Sequence, residues 1–259
     1  MPGRSNAPRP HSLVRVSTAV PLLSDVRSAL VITAHPDDVD FGAAGTVAIW
    51  TAAGIKVSYC VCTSGEASGD DSQARAEVAR IRQAEQRAAA ECVGVQEVAF
   101  LDYPDGAVVA SLDLRRDLTR VIRTVRPDRV LTWSPEINWE VVATTHPDHR
   151  AVGEAAFAAV YPDARNPHAF PELLADEGLE PWVVRELWLR DSPARLRNHA
   201  VDVTDVFDAR LAALRSHESQ VGGFPDLEGF LRGILAGQAR DRGLAEGRLA
   251  EEFQVVDTR

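Results

Sequence analysis

The chain has 259 residues, 45% of them hydrophobic and 25% charged, with a formal net charge of −10 from 38 acidic and 28 basic residues. That is the composition of an ordinary globular protein, and its acidic balance argues against a nucleic-acid binder, which would present a basic surface. No apolar run approaches the roughly 18 residues of a membrane span, and the interrupted N-terminal stretch does not read as a signal peptide. In chain order, residues 1–12 are rich in Pro, Arg and Ser and are expected to form a disordered tail, with 13–259 as one domain. Ala29 to Ala34 reads as a buried strand, Gly42 to Ala53 as a helix ending at Gly54, and Lys56 to Thr63 as a second strand. Gln73 to Val93 has apolar residues at helical spacing and stops at Gly94; Glu97 to Leu101 is a short strand. Leu112 to Val125 is a helix closed by Arg126-Pro127, Arg129 to Trp133 a strand, and His149 to Tyr161 a helix before Pro162. This alternation predicts an α/β fold, a mostly parallel sheet with helices on both faces.

Beyond Tyr161 the pattern weakens. Residues 162–182 hold several prolines and read as an insertion or lid. Glu186 to Arg190 and Ala200 to Val203 look like further strands, and Thr204 or Asp205 can cap a helix running through Ser216. Asp226 to Arg248 is polar and interrupted by five glycines, so its helical reading is weak. Cys60, Cys62 and Cys92 form no disulfide framework; as small hydrophobes in a reducing compartment they fit the cytoplasm.

In open parallel sheets, ligands bind beyond the carboxyl ends of the strands. Here those ends run into His35-Pro36-Asp37-Asp38, Thr63-Ser64-Gly65-Glu66, Asp102 to Gly106 and Ser134-Pro135-Glu136, with His146-Pro147-Asp148-His149 a loop later. Two imidazoles and one carboxylate are a common way to hold a catalytic divalent metal such as Zn²⁺ with a coordination position open. His35 and Asp38 straddle a strand-to-helix turn and can reach one ion, and His149 can supply a third ligand. Asp37 is then placed to act as general base and His146 to stabilise an oxyanion or protonate a leaving amine, with Asp148 orienting an imidazole. The plainer alternative, that Asp37 and Asp38 are helix caps, stands beside this. His11, His168 and His199 are isolated; His217, in Ser216-His217-Glu218-Ser219-Gln220, is left open. No G-x-G-x-x-G follows the first strand, which excludes a dinucleotide fingerprint.

From Val31 to about Tyr161 the chain resembles the LmbE-like, or GlcNAc-phosphatidylinositol de-N-acetylase (PIG-L), family. The resemblance rests on His35 to Asp38, Gly42 to Thr46, Thr63 to Glu66, Arg82-Gln83-Ala84-Glu85, Val93-Gly94-Val95, Asp105-Gly106 and His146 to His149, with an echo at His217 to Gln220. It implies a Rossmann-like fold and a metal, Zn²⁺ with Fe²⁺ as an alternative, held by His35, Asp38 and His149. It further implies Asp37 as base, His146 at the oxyanion or leaving group, and removal of an N-acyl group from an amino sugar or glycoconjugate. Arg82 resembles the family's substrate-contacting arginine, against a surface salt bridge with Glu85 or Glu77. Asp105 would orient a substrate hydroxyl or His146, against a plain Asp-Gly turn. The same resemblance leaves open an amidase of a larger natural-product amide, a non-catalytic module on the same fold, and a homo-oligomer. The chain departs from the common family pattern at Val39, where many members have Glu, and at Thr144, where some have Tyr.

Overall fold

A computed structural model describes residues 25–68 and 73–259; the expected N-terminal tail lies outside them. Seven strands form one sheet in the order β3-β2-β1-β4-β5-β7-β6. They are β1 (Ser28–Thr33), β2 (Lys56–Thr63), β3 (Glu97–Tyr103), β4 (Arg129–Trp133), β5 (Glu186–Arg190), β6 (His199–Asp202) and β7 (Ala250–Asp257). β1 to β5 are mutually parallel, and β7 runs antiparallel to both β5 and β6. The central strands β1 and β4 are buried almost throughout, which is why they read as continuous apolar runs. Edge strand β3 is half exposed. The order reverses at β1, with Ala29 beside both Val57 and Arg129, so a crevice opens at the carboxyl ends of β1 and β4.

Helices cover both faces: α1 (Asp38–Gly42), α2 (Ala44–Ala52), α3 (Arg75–Cys92), α4 (Leu112–Val125), α5 (Pro147–Ala158), α6 (Pro171–Ala175), α7 (Phe207–Arg215), α8 (Glu218–Val221) and α9 (Leu227–Asp241). One apolar core joins α2, α3 and α7 to the sheet through Val47, Trp50, Ala89 and Ala213. A second, on the other face, joins α4 and α5 through Leu118, Ile122, Val152 and Ala156. A third packs α9 on α7 through Leu211, Leu214, Leu231 and Leu235.

Two elements differ from the sequence reading. The helix read at Gly42 to Ala53 starts earlier, at Asp38, and breaks at Ala43, where φ is −147°. Gly42 sits at the break because the Arg190 guanidinium occupies the space a Cβ would take. Strand β7 was not foreseen. Its sequence, Ala-Glu-Glu-Phe-Gln-Val-Val-Asp, buries two glutamates that find partners elsewhere in the fold: Glu251 pairs with Arg210 at 2.7 Å and accepts the N–H groups of Gly45 and Thr46, and Glu252 pairs with Arg197 at 2.9 Å and with Arg242. Residues 162–182, read as an insertion or lid, pack against α4 and the start of β4. Arg123 of α4 donates to the carbonyls of Asp163, Ala164, Asn166 and Ala169, and the Trp182 indole donates to the Pro127 carbonyl at 2.7 Å, just before β4 begins. The segment is an insertion packed away from the carboxyl ends of the strands.

Candidate metal centre

His35 follows β1 directly, and the chain turns into α1 through Asp37, whose φ of +88° is left-handed. Such a conformation is uncommon for a residue with a Cβ, although Asp is among the side chains that tolerate it best. It lets the two adjacent aspartates face different surroundings. Asp38 turns back on β1: its Oδ2 accepts from the backbone N–H of Ala34 (3.0 Å) and His35 (2.8 Å) and from the Trp133 indole (3.2 Å). Asp37 instead meets Arg82 Nη2 at 3.1 Å.

The second cluster is set by the start of α5. Pro147 occupies the first helical position, where its missing N–H costs nothing. His146 is the N-cap, its Nδ1 accepting from the Asp148 N–H at 3.2 Å. His149, within the first turn, points to the same crevice. α5 approaches β4 closely because Gly153 has no Cβ; one placed there would lie 2.5 Å from the Trp133 carbonyl oxygen.

Three atoms converge. His35 Nδ1 lies 3.2 Å from His149 Nε2, His149 Nε2 lies 3.1 Å from Asp38 Oδ1, and His35 Nδ1 lies 3.7 Å from Asp38 Oδ1. Tetrahedral bonds of 2.0–2.1 Å place ligand atoms about 3.3 Å apart, so the triangle fits a zinc-sized cation. The surroundings favour positive charge there. Burial opposes a charged His35, but Asp105 and Asp38 outweigh it and push the imidazole up to about 11. Burial would also raise Asp38, yet His149 and His35 hold it well below the usual carboxylate range.

His35 also faces carboxylates on its other nitrogen, with Nε2 3.1 Å from Asp105 Oδ1 and 3.3 Å from Asp148 Oδ2. That grouping, His35 with Asp105 and Asp148, is a second cluster of ligand-type atoms. Its carboxylates are already engaged. Asp148 accepts from the N–H of Gly106 (2.8 Å) and Val108 (3.3 Å), and Asp105 from that of Ala67 (2.9 Å). They suit the role of acceptors for His35 Nε2–H, which leaves Nδ1 facing His149 Nε2 and Asp38 Oδ1. His149 is oriented in a comparable way: Nδ1 lies 3.4 Å from the Thr144 carbonyl, and the Trp133 ring is stacked on the imidazole at 3.7 Å and 11°.

His35, Asp37, Asp38, Arg82, Asp105, His146 and His149 all line one open cavity of about 420 Å³. Every residue expected at the site is therefore at or beside it, Asp148 lying just behind His35. Several details differ from expectation. Arg82 is buried and not part of a surface pair; Arg80 takes Glu77 instead. Arg82 bridges the loops by donating to the carbonyls of Pro36 (2.7 Å) and Gly65 (2.9 Å), to Ser68 Oγ (2.8 Å) and to Asp37. Asp105 contacts His35 and not His146. His146 accepts at Nδ1, and burial with the neighbouring His35 and His149 lowers its pKa, so it offers a neutral Nε2–H and not an imidazolium. Burial, followed by the charge of Asp38, pushes Asp37 up to about 7 against the pull of Arg82. Val39 packs into the apolar core, and Thr144 turns its carbonyl to His149 Nδ1.

Trp133, at the end of β4, is a support of this cluster that the motifs do not single out; only 4% of it is exposed. Trp182 points away from the site, and Trp139 stands in the exposed 136–145 loop. Gln86 and Asp40 were also missed. They had a signal: Gln86 lies one helical turn beyond Arg82, on the same face of α3.

Residues 30–160 match the family model described as PIG-L, GlcNAc-PI de-N-acetylase. The diacetylchitobiose deacetylase of Thermococcus kodakarensis is 33% identical over 206 residues, covering 78% of this chain and 72% of its own. A probable N-acetyl-α-D-glucosaminyl L-malate deacetylase of Bacillus cereus is 31% identical, covering 75% of this chain and 84% of its own. Among solved structures, the N,N'-diacetylchitobiose deacetylase from Pyrococcus horikoshii in complex with its inhibitor superposes with a TM-score of 0.80 at 32% identity, over 90% of this chain and 85% of that one.

Proposed function

The chain belongs to the GlcNAc-PI de-N-acetylase (PIG-L) family, and on that premise we propose that it is a metal-dependent hydrolase removing the N-acetyl group from a neutral N-acetylglucosamine sugar of the diacetylchitobiose kind. The observation carrying the proposal is the triangle of His35 Nδ1, Asp38 Oδ1 and His149 Nε2, with Asp37 and His146 lining the same cavity. A divalent ion held by those three residues, Zn²⁺ in this reading, supplies Lewis acidity at the amide carbonyl and makes water a nucleophile near neutral pH.

The remaining steps fall to the chain's own groups. Asp37, raised to about 7, accepts a proton from the attacking water as that oxygen bonds to the carbonyl carbon. His146 Nε2–H donates to the oxygen that gains negative charge. Asp37 then returns its proton to the nitrogen as the C–N bond breaks, releasing acetate and a free amine. Asp105 and Asp148 hold His35, and Arg82 holds Asp37. The three free thiols, Cys60, Cys62 and Cys92, support a cytoplasmic setting.

The choice of a neutral sugar rests on the cavity wall. Arg82 is the only Lys or Arg among the described lining residues, and both of its Nη atoms are engaged within the protein. An anionic aglycone such as malate would find acidic neighbours there and no uncommitted guanidinium fork. The test is amine release by the zinc-loaded protein from N,N'-diacetylchitobiose and from N-acetylglucosaminyl malate. Preference for the malate conjugate would overturn the substrate assignment. Wild-type turnover in Asp37→Asn would overturn the base.

A further inference from the structure

The His217 segment, which no step above uses, ends in a fully buried chain of side chains leading to the base. His217 Nε2 lies 2.8 Å from Asp40 Oδ2, and Gln86 Nε2 donates to the same oxygen at 2.9 Å. Gln86 Oε1 in turn accepts the backbone N–H of Asp37 at 2.8 Å. His217, Asp40 and Gln86 are each 0% exposed. We infer that His217 is a positioning residue for Asp37, acting through Asp40 and Gln86.

The direction of the chain is forced by donor and acceptor chemistry. A carboxylate only accepts, so Asp40 compels Gln86 to present its NH₂ group, and its carbonyl then faces the Asp37 N–H. A flipped amide would set oxygen against oxygen at one end and N–H against N–H at the other. Asp40 is held in turn by His217. Asp40 Oδ1 and His217 Nδ1 have no hydrogen-bond partner among the described residues, so beyond their own contact the pair's side-chain hydrogen bonding runs to Gln86. A buried polar pair is often no more stable than an apolar filling of the same space, so stability alone does not explain its presence. What it does supply is a fixed orientation at the residue whose backbone is left-handed, with φ +88°. α3 thus grips Asp37 twice, one turn apart: Arg82 on the carboxylate and Gln86 on the main chain. The His217 turn is clamped to the same helix, since the Ser219 N–H and hydroxyl both donate to Glu85, at 2.7 and 2.6 Å.

This inference rests on Asp37 being the base. The experiment measures kcat and KM for amine release from N,N'-diacetylchitobiose, and zinc affinity by chelator competition. The variants are His217→Leu, His217→Gln, Gln86→Leu, the double leucine variant and Asp37→Asn. Displacing a catalytic group by about 1 Å costs on the order of 100-fold, so each leucine variant should lose roughly 10- to 100-fold in kcat. KM and zinc affinity should stay within about twofold, because the ligands and the cavity wall are untouched. The double variant should be no slower than the slower single one, since both cut one chain. His217→Gln, which places an amide N–H near the imidazole Nε2, should recover most of the loss. Wild-type kcat in Gln86→Leu, or losses that multiply in the double variant, overturn the inference. If His217→Leu does not fold, Gln86→Leu and His217→Gln decide it. Wild-type turnover in Asp37→Asn would instead remove the base assignment, a failure distinct from that of the relay.

Discussion

Trp133→Phe should weaken zinc binding while leaving the chain folded. The indole donates one of the three N–H groups on Asp38 Oδ2, at 3.2 Å, and its ring lies 3.7 Å from the His149 ring. Phe keeps an aromatic face for His149 while removing the donor together with part of the buried ring. A hydrogen bond to a charged group contributes about 1.5–3 kcal/mol. At about 1.4 kcal/mol per tenfold, losing it corresponds to a roughly 10- to 100-fold weaker complex, the range expected for groups that orient a ligand. Two backbone donors remain on the oxygen, so the result should lie nearer tenfold. Competition against a chromophoric chelator measures this, with Trp139→Phe as control, since Trp139 is 77% exposed. Equal zinc affinity in Trp133→Phe and wild type would refute the idea that the indole supports Asp38.

Other perturbations follow from the same geometry. Zinc at a thousand times its Kd should stabilise the fold by about 4 kcal/mol, raising Tm by ~8–16 °C over chelator-treated protein; a Tm indifferent to zinc would speak against a preformed site. Arg82→Met leaves Asp37 and two loop carbonyls without their partner and should cost roughly 3–5 kcal/mol in denaturant unfolding. Arg82→Lys should rescue little, because one ammonium cannot reproduce a fork that spans Pro36 and Gly65; full rescue would show that charge alone matters. Gly153→Ala forces α5 away from the Trp133 carbonyl and should cost about 1–3 kcal/mol. It should weaken zinc binding as well, since α5 carries His149; a stability loss with unchanged zinc affinity would uncouple the two.

The sheet was legible because its central strands are apolar throughout, and the site was legible because polar motifs follow those strands directly. Sequence could not say which face of each group is used. Trp133 read only as the end of a strand, because nothing in Leu-Thr-Trp reveals that its N–H ends on Asp38, a partner 95 residues away. β7 stayed hidden because its two glutamates resemble surface residues until Arg210 and Arg197 are seen beside them. The 162–182 segment could be read as an insertion or a lid, because its packing depends on Arg123, a charged residue inside α4 that is 2% exposed.

Asp37 and Asp38 are the same residue type one position apart, so their different roles come from surroundings alone. Asp38 receives three N–H donors on one oxygen and two imidazoles near the other, which keeps it ionised and suited to hold a cation. Asp37 has one guanidinium contact, is largely enclosed and lies beside a permanent carboxylate, so its proton affinity rises into the range a base needs near neutral pH. The left-handed turn at Asp37 lets one loop contain both environments. An ordinary right-handed entry into α1 would have to hold both carboxylates differently. The strain is held locally by Arg82 and Gln86, both on α3, which makes that helix, and not the loop itself, the element on which the proposed base depends.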